Sequence, residues 1–386
     1  MRAEEAHRIR TIAASDGAFG GIPASILDAA AARLAAAGSV DRFRLEAMRL
    51  MALGGNGHSR AIANEAVRVA PLRFVWLADG PWLIEGTQAR SRLVAVNGVA
   101  PSEIVTALRP WLAGTDQRAR VLAGFMLAWK PAVELATGTR GPPRYSLANP
   151  DGNILELQPE TAVQAETIYP AREPGIADLL ISRQGFADRE DARCGTFLRR
   201  LAGGVPYVRI GDLGGAPAET IAARLTAIVM DLAGARRLVV DLRGNPGGNF
   251  FGAAAFARRL PEVAPGAALA VLVDRFTFSA ALVTAALLKV HAGGRLVGEE
   301  MGDNARFHAE GGQDVLPWSG LTIRYSDGWH DWEGGRADPL LTPPGIAREM
   351  VAAGSLRPEL PIATTGRDVA AGRDPVLAAA LVLIGA

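Results

Sequence analysis

The chain has 386 residues, of which 49% are hydrophobic and 21% are charged, and its formal net charge is +1. A chain of this length exceeds one ordinary hydrophobic core, so we expect a globular protein with two or three substructures. The balanced charge excludes the strongly basic surface that binds nucleic acid or anionic lipid. The lone Cys194 excludes an intramolecular disulfide and a cysteine-based metal site, and we expect no metal and no cofactor.

The first residues include the acidic Glu4 and Glu5 and lack the apolar stretch of a signal peptide. No segment approaches the roughly 20 apolar residues that span a bilayer. The apolar run 375–386 is shorter than that and is expected to be a packed helix. We therefore expect no membrane insertion and a cytoplasmic protein as the sequence stands, or a periplasmic or extracellular one if a signal peptide has been removed.

Two amphipathic helices are predicted over 23–37 and 40–53, with arginines on the faces opposite alanine and leucine. The second runs into Leu53-Gly-Gly-Asn-Gly-His-Ser, a loop whose glycines allow the imidazole of His58 to approach another part of the chain. A histidine in such a loop is more often a surface residue than a catalytic one, so the spacing alone leaves both interpretations open.

Residues 71–110 contain three β-rich stretches, and the last is followed by a helical pattern over 101–109. Leu93-Val-Ala-Val-Asn-Gly with that helix resembles the second half of a PDZ-type module, although the segment is too short for a full copy. A PDZ groove binds a peptide C-terminus by strand addition, but we expect this degenerate copy to be structural. Residues 119–170, punctuated by proline and polar residues, predict a hairpin-containing connector with little periodicity.

Helices are then predicted over 187–200 and 220–233, on either side of a strand at Tyr207. Two short apolar runs follow, 238–242 and 269–273, with the length and β-branched content of buried parallel strands. Each run ends in residues that break a strand, and a helical pattern begins soon afterwards. The second of these helices is predicted over the dozen residues that follow Ser279.

Gly247, Gly248 and Ser279 therefore follow the carboxyl ends of neighbouring parallel strands, where open α/β sheets bind ligands. We expect these residues to lie close together. A serine at the start of a helix beside a glycine turn supplies a nucleophile and N–H groups for an oxyanion. The same serine could merely cap its helix, and the spacing leaves both interpretations open.

Three motifs of this region resemble a known family. Asp241-Leu-Arg-Gly-Asn-Pro-Gly-Gly, Val273-Asp-Arg-Phe-Thr-Phe-Ser-Ala-Ala and Val297-Gly-Glu are similar, in order and in spacing, to the core of the C-terminal-processing (tail-specific) serine peptidases. Relatives of that family are the tricorn core protease and the retinoid-binding repeat proteins. The resemblance implies an α/β core, the crotonase-like β-β-α superhelix, with Ser279 as nucleophile and the amides of Gly247 and Ala280 as oxyanion hole.

The resemblance breaks at the general base. In the family a lysine follows the serine by 25 residues, and that position is Asn304 here. Lys289 lies within the predicted helix, too far along it to reach back. Members without the lysine carry an Asp-Gly-His-Thr-like loop whose histidine serves as base. Asn56-Gly-His-Ser stands at the matching place, so the resemblance implies that His58 is the base and that kcat/KM rises around pH 6–7, as for an ordinary histidine.

Residues 318–326 alternate as a strand, and a polar, aromatic loop is expected to follow. This loop contains His330, the rival of His58 for the role of base. In relatives with a histidine base, a carboxylate downstream of the serine supports it. Asp327, Asp331 and Glu333 are all near the right place, and the sequence leaves the choice among them open.

These observations predict an N-terminal helical segment over 1–70, a β-rich, partly PDZ-like segment with a connector over 71–185, and a catalytic α/β core over 186–386. The function that we expect is hydrolysis of peptide bonds in a peptide or polypeptide substrate. Two alternatives stay open, a serine esterase or amidase and a catalytically silent binding protein on the same fold. In the second, an apolar pocket would be lined by tryptophans, namely Trp76, Trp82, Trp329 and Trp332.

Overall fold

The computed structural model describes residues 1–63, 65–86, 88–169, Leu180 and 195–386. These residues form two compact units. The first unit contains the described residues of 1–169 together with Phe307–His330 and Asp338–Pro343, and the second contains 195–306, Asp331–Ala337 and Pro344–Ala386. The boundary predicted between 185 and 186 lies outside the described residues. Among the described residues, no helix combines the length and the apolar character needed to cross a membrane.

Helices and a set of short strands build the first unit. Its helices are Arg2–Ser15, Gly17–Phe19 (3₁₀), Ala24–Ala35, Val40–Ala52, Pro101–Leu108, Arg109–Trp111 (3₁₀), Asp116–Ala128, Lys130–Thr137 and Ala165–Ile168. Numbered along the whole chain, its strands are β1 (Arg60–Ile62), β2 (Arg68–Val69), β3 (Phe74–Leu77), β4 (Gly80–Glu85), β5 (Gln88–Val96), β6 (Tyr145–Ala148), β7 (Ile154–Leu157), β8 (Val163–Gln164), β14 (Arg306–Ala309), β15 (Gln313–Leu316), β16 (Leu321–Arg324) and β17 (Gly328–Asp331), although the outer ends of β14 and β17 belong to the second unit.

The two predicted amphipathic helices are confirmed as Ala24–Ala35 and Val40–Ala52. The second begins where the Ser39 side chain accepts a hydrogen bond from the Arg42 N–H, which satisfies an otherwise unpaired donor of the first turn. Its buried face, which includes Phe43, joins the core of this unit. The helix ends at the glycines that precede His58, so the histidine loop leaves directly from a packed helix.

The β-rich stretch is confirmed as an antiparallel sheet in the order β3-β4-β5-β6-β7. The prediction of an irregular connector over 119–170 is wrong in part. The expected hairpin is present as β6 and β7, but helices occupy Asp116–Ala128 and Lys130–Thr137. Pro131 stands in the first turn of the second helix, where its missing N–H costs no helical bond. It therefore separates two helices rather than ending helical structure.

Two small sheets follow the histidine loop and the segment after residue 306. One has the antiparallel order β1-β16-β15, and the other pairs β14 with β17. The predicted strand over 318–326 is confirmed as β16, although it is shorter. The loop predicted after it is wrong in part, because Gly328–Asp331 forms β17. Glycine and aspartate at its ends are typical of turns, and only the pairing with β14 makes the segment a strand.

The second unit is organised around one six-stranded sheet in the order β18-β13-β12-β11-β10-β9. Its strands are β9 (Thr196–Arg200), β10 (Pro206–Ile210), β11 (Arg237–Asp241), β12 (Ala268–Val273), β13 (Arg295–Gly298) and β18 (Leu360–Pro361). The pairings are parallel except for β9 with β10. The predicted buried parallel strands are thus confirmed as β11 and β12.

Beside this sheet lie the helices Ala202–Gly204 (3₁₀), Ala218–Met230, Phe251–Val263, Ala280–Ala292, Pro344–Glu349, Gly366–Ala371 and Pro375–Leu383. The predicted helix over 220–233 is confirmed, and so is the packed helix near the C-terminus. The helix predicted over 187–200 is wrong in its last part, because Thr196–Arg200 is strand β9; residues 187–194 lie outside the described residues. Pairing with β10 there outweighs the helical preference of leucine and arginine.

A buried charge cluster joins the sheet to the last helix. Arg243 donates to Asp241 at 2.7 Å and to Asp374 at 2.8 Å, and the Tyr207 hydroxyl donates to Asp241 at 2.6 Å. Although burial opposes it, the charge of Arg243 holds the pKa of Asp241 below its ordinary value. These contacts satisfy charges that would otherwise be costly to bury.

Candidate active site

Ser279 stands between strand β12 and the helix Ala280–Ala292, in a half-buried position. Its backbone has φ 56° and ψ −126°, a conformation that a residue with a side chain adopts at a cost of roughly 1–3 kcal/mol. The hydroxyl makes no capping hydrogen bond to its helix. The alternative in which this serine only caps the helix is therefore not what the structure has, and a strained strand-to-helix corner is where α/β-hydrolases present their nucleophilic serine.

The turn before Ser279 is built around the buried carboxylate of Asp274. Its Oδ1 accepts hydrogen bonds from the N–H groups of Gly244 at 2.9 Å and of Phe276 and Thr277 at 3.0 Å each. Its Oδ2 has no partner among the described residues. Burial, with a contribution from the charge of Glu299, raises the pKa of Asp274 to about 6.

The glycine turn lies directly against the serine, as predicted. A Cβ on Gly247 would lie 2.7 Å from the Ser279 Cβ, and a Cβ on Gly248 would lie 2.1 Å from the backbone of Leu213. Both glycines also have positive φ, of 100° and 136°. Each position therefore admits only glycine, because a side chain would meet Ser279 or the neighbouring backbone.

The backbone N–H groups around Ser279 divide into engaged and available donors. The Ser279 N–H donates to Asp303 Oδ2 at 3.2 Å, and the Gly247 N–H donates to Asn245 Oδ1 at 2.9 Å. The N–H groups of Gly248 and Ala280 donate to none of the described residues. Of the two predicted oxyanion donors, Ala280 is thus available, whereas Gly247 already has an acceptor.

The histidine loop belongs to the first unit and is anchored by buried side chains. The Asn56 Nδ2 donates to the Ser59 Oγ and to the His308 carbonyl, both at 2.9 Å. Ser59 is fully buried and hydrogen-bonds to Asp16, which also accepts from the Ser326 N–H at 3.1 Å. Burial raises the pKa of Asp16. The loop is therefore held on both sides of His58.

The two histidines that compete for the role of base lie in one cluster. The Phe307 ring stacks on His58, with centroids 5.0 Å apart, and on His330, with centroids 4.5 Å apart. Glu310 Oε1 lies 3.5 Å from His330 Nε2. The pKa of Glu310 is lowered by its hydrogen bond with His330 and, to a smaller extent, by the charges of His330 and His58. His330 is only 2% exposed, whereas His58 is half-buried.

The three carboxylates named from the sequence, Asp327, Asp331 and Glu333, have no described hydrogen bond or ion pair with His58 or His330. Asp331 accepts from Arg306 at 3.1 Å, and Glu333 lies 3.3 Å from the same guanidinium. Asp327 is exposed. Glu310, which the sequence analysis missed, is the carboxylate whose pKa responds to His58. It could have been found only by predicting that β14, which it follows, pairs with the strand that carries His330.

Lys289 and His291, the lysine and the histidine of the helix Ala280–Ala292, lie near groups other than Ser279. Lys289 donates to the Ser355 carbonyl and lies 3.5 Å from Glu359. His291 has a lowered pKa because of burial and the nearby Arg258. Asn304, at the family's lysine position, donates its N–H to Asp303. No described contact therefore links Lys289 to Ser279.

The tryptophans considered for an apolar pocket are divided between the units. Trp82 is 2% exposed on β4 of the first unit, and Trp332 is fully buried against Phe250 in the second. Trp76 and Trp329 are partly exposed. Among the described residues, no group of three or more histidine, cysteine, aspartate or glutamate side chains could hold a metal ion.

Comparison with known proteins supports the fold. No family model and no curated protein sequence matches the chain. Among solved structures, mature CPAF is 14% identical, with a TM-score of 0.62 and coverage of 100% of this chain and 97% of that one. Mature CPAF complexed with lactacystin is 12% identical, with a TM-score of 0.60 and coverage of 100% and 98%.

The photosystem II D1 C-terminal processing protease is 15% identical over 93% of this chain and 92% of that one, with a TM-score of 0.42. The mixed α/β fold predicted from the motifs is confirmed by the match to CPAF over the whole chain. The chain therefore has a mixed α/β fold similar to that of mature CPAF.

Proposed function

We propose that this protein is a serine peptidase in which Ser279 is the nucleophile and His58 is the general base. The observation that carries the proposal is the backbone of Ser279, which is held at positive φ with its hydroxyl uncommitted to helix capping. Strain of this kind is retained where it serves a function. The motif resemblance and the shared fold point to the same chemistry.

In the proposed reaction the Ser279 Oγ attacks the scissile carbonyl while the His58 imidazole takes the hydroxyl proton. The imidazole then gives that proton to the leaving amine, and water hydrolyses the acyl-enzyme by the same route. A serine hydroxyl needs a base within about 2.6–3.2 Å during this step. We choose His58 over His330 because His58 is half-buried on the histidine loop, where a substrate could approach it, whereas His330 is only 2% exposed.

We propose the amides of Ala280 and Gly248 as the oxyanion hole. Both N–H groups are without acceptors among the described residues, and Ala280 also begins a helix, whose N-terminus favours negative charge. The Gly247 amide, proposed from the sequence, would have to release Asn245 Oδ1 before it could donate. In this assignment Gly247 serves by allowing the turn to approach the serine.

For the supporting carboxylate we propose Glu310 in addition to the three residues named from the sequence. Its Oε1 lies 3.5 Å from His330 Nε2, and its pKa is lowered by the charges of both His330 and His58. Asp331 and Glu333 pair with Arg306, which satisfies their charges locally. Glu310 would orient the cluster and stabilise the imidazolium that forms during the reaction, the role that a carboxylate has in serine hydrolases.

The test is labelling by a fluorophosphonate probe, which reacts only with an activated serine. We expect the wild-type protein to be labelled and Ser279→Ala to be unlabelled, with Ser355→Ala, an exposed serine of the same unit, as the matched control. Lactacystin, which is bound in one CPAF structure, is a suitable competitor. Hydrolysis of peptides but not of simple esters supports a peptidase. An unlabelled wild-type protein would instead support the silent binding protein.

A further inference from the structure

The segment that follows β13, residues 299–303, contacts the turn at residues 274–279, here called the serine turn, through Glu299, Gly302 and Asp303. Arg275, in the turn, makes a bidentate pair with Glu299 at 2.8 and 3.0 Å, and both side chains are buried. The Gly302 N–H donates to the Thr277 carbonyl at 3.0 Å. Buried ion pairs contribute little net stability but fix one geometry among several. The contacts therefore couple the conformation of the turn to that of this segment.

At Gly302 the 299–303 segment lies too close to the serine turn to leave room for a side chain. A Cβ on Gly302 would lie 2.3 Å from the Arg275 carbonyl oxygen. The backbone of the 299–303 segment is thus packed against the backbone of the turn rather than held at a distance by side chains. This packing places the next residue, Asp303, beside the serine.

Asp303 ends the segment with a carboxylate that is 9% exposed. Its Oδ2 accepts the Ser279 N–H at 3.2 Å, and its Oδ1 accepts the N–H of Asn304 at 3.0 Å. Because Ser279 precedes the first turn of its helix, its N–H has no acceptor within the helix. Asp303 supplies the acceptor, and a buried N–H without one would cost roughly 1–3 kcal/mol.

We propose that Asp303 is a positioning residue for Ser279: by holding the serine amide it keeps the turn in its reactive conformation and excludes that amide from the oxyanion hole. The inference rests on the proposed function and deepens it, because it assigns a role to a residue that neither the motif resemblance nor the spacing singled out. It also explains why the developing negative charge is left to the amides of Gly248 and Ala280.

Three substitutions separate geometry from charge. Asp303→Asn keeps an oxygen acceptor at the same distance and removes the charge, Asp303→Glu keeps the charge and displaces the acceptor, and Asp303→Ala removes both. Asp368→Ala is the matched control, since Asp368 caps a helix of the same unit by accepting the Thr365 N–H at 3.2 Å.

We expect the second-order rate of fluorophosphonate labelling to fall about 10²-fold in Asp303→Ala and Asp303→Glu, because a misplacement of about 1 Å has effects of this size. We expect Asp303→Asn to stay within about threefold of wild type, since it preserves the geometry on which that estimate depends. Asp368→Ala should lower Tm without changing the labelling rate. Wild-type labelling in Asp303→Ala, or labelling of Asp303→Asn as slow as that of Asp303→Ala, would overturn the proposal.

Hydrogen exchange of a peptide spanning 274–283 provides a readout that does not depend on activity. We expect faster exchange at Ser279 in Asp303→Ala and wild-type exchange in Asp303→Asn. If the wild-type protein is not labelled at all, the proposed function fails, and unchanged exchange in Asp303→Ala would then overturn the positioning role as well. If Asp303→Ala does not fold, Asp303→Glu decides by the same two measurements.

Discussion

The serine turn and the histidine loop are held in their conformations by different kinds of contact. Each presents one half-buried polar side chain, and each is organised around a buried aspartate with a raised pKa, Asp274 in the turn and Asp16 beside the loop. The turn is fixed by its own strained backbone and by residues within the same sheet unit. The loop is fixed by side chains from segments far apart in sequence, including Ser326.

This difference determines how substitutions in each region affect activity and stability. A backbone held by steric constraint tolerates little change in the size of the residues that contact it. A loop held by side-chain hydrogen bonds fails when one buried donor or acceptor is removed and its partner is left unsatisfied. Substitutions in the turn should therefore affect chemistry first, and substitutions around the loop should affect stability together with chemistry.

The largest expected effect is that of Ser279→Ala. Because the nucleophile itself is removed, turnover and probe labelling should fall to background. The fold should persist, since the hydroxyl makes no capping bond. Activity on peptide substrates and thermal unfolding measured on the same preparation check both expectations. Hydrolysis at the wild-type rate by folded Ser279→Ala protein would refute the assignment of the nucleophile.

His58→Ala comes next, with an expected loss of about 10²–10⁴ in kcat/KM, the usual contribution of a general base. The rising acid limb of the kcat/KM profile should disappear with it, because that limb reports the imidazole.

His330→Ala is the matched comparison within the ring cluster. It should lower Tm, since a 2% exposed ring is lost from the stack on Phe307, and it should leave the limb in place. A limb that survives in His58→Ala and vanishes in His330→Ala would reverse the two assignments.

Gly247→Ala is expected to lower kcat by about 10²–10³, comparable to the loss of an oxyanion donor. The new Cβ would lie 2.7 Å from the Ser279 Cβ, so the serine or the turn must move. Gly266→Ala is the control: it also has positive φ, of 69°, but no atom within 4 Å of the added Cβ. It should cost stability, measured by urea unfolding, without a change in kcat. Equal kcat losses in both variants would attribute the effect to backbone strain alone.

A further effect is expected in the pH dependence of stability. The pKa of Asp274 is about 6 in the folded protein against an ordinary value of 3.8, so the folded state binds the proton more tightly than the unfolded state. The resulting stability is fully present below pH 3.8 and is lost as the pH rises through about 6. The difference between the pKa of Asp274 in the folded protein and its ordinary value corresponds to ~3 kcal/mol.

Asp274→Asn should remove this pH dependence of the unfolding free energy, which denaturant titrations at several pH values between about 4 and 7 would measure. Asp16→Asn makes the same change beside the histidine loop and sharpens the comparison of the two regions. A profile that is unchanged by Asp274→Asn would show that another group is responsible.

The sequence predicted the serine region better than the histidine region, and the reason is the range of the contacts. Gly247 and Ser279 follow two adjacent parallel strands, so hydrophobic runs and strand breakers were enough to place them together. The position of His58 beside Phe307 depends on contacts between segments far apart in the chain, such as the hydrogen bond from Asn56 to the His308 carbonyl, which no local pattern encodes. Asp303 and Glu310 could not be predicted from the sequence either. Each stands next to a glycine, a pattern typical of an ordinary surface loop.

The positive φ of Ser279 has a consequence for how such a chain changes over generations. Glycine adopts this backbone conformation without the penalty that a side chain incurs, so Ser279→Gly should unfold with a free energy about 1 kcal/mol higher than Ser279→Ala. Random substitution filtered only for foldability would therefore favour glycine over serine at this corner. A lineage in which Ser279 lost its proposed role would therefore be expected to drift toward glycine at this corner, and toward a more stable molecule with the same architecture.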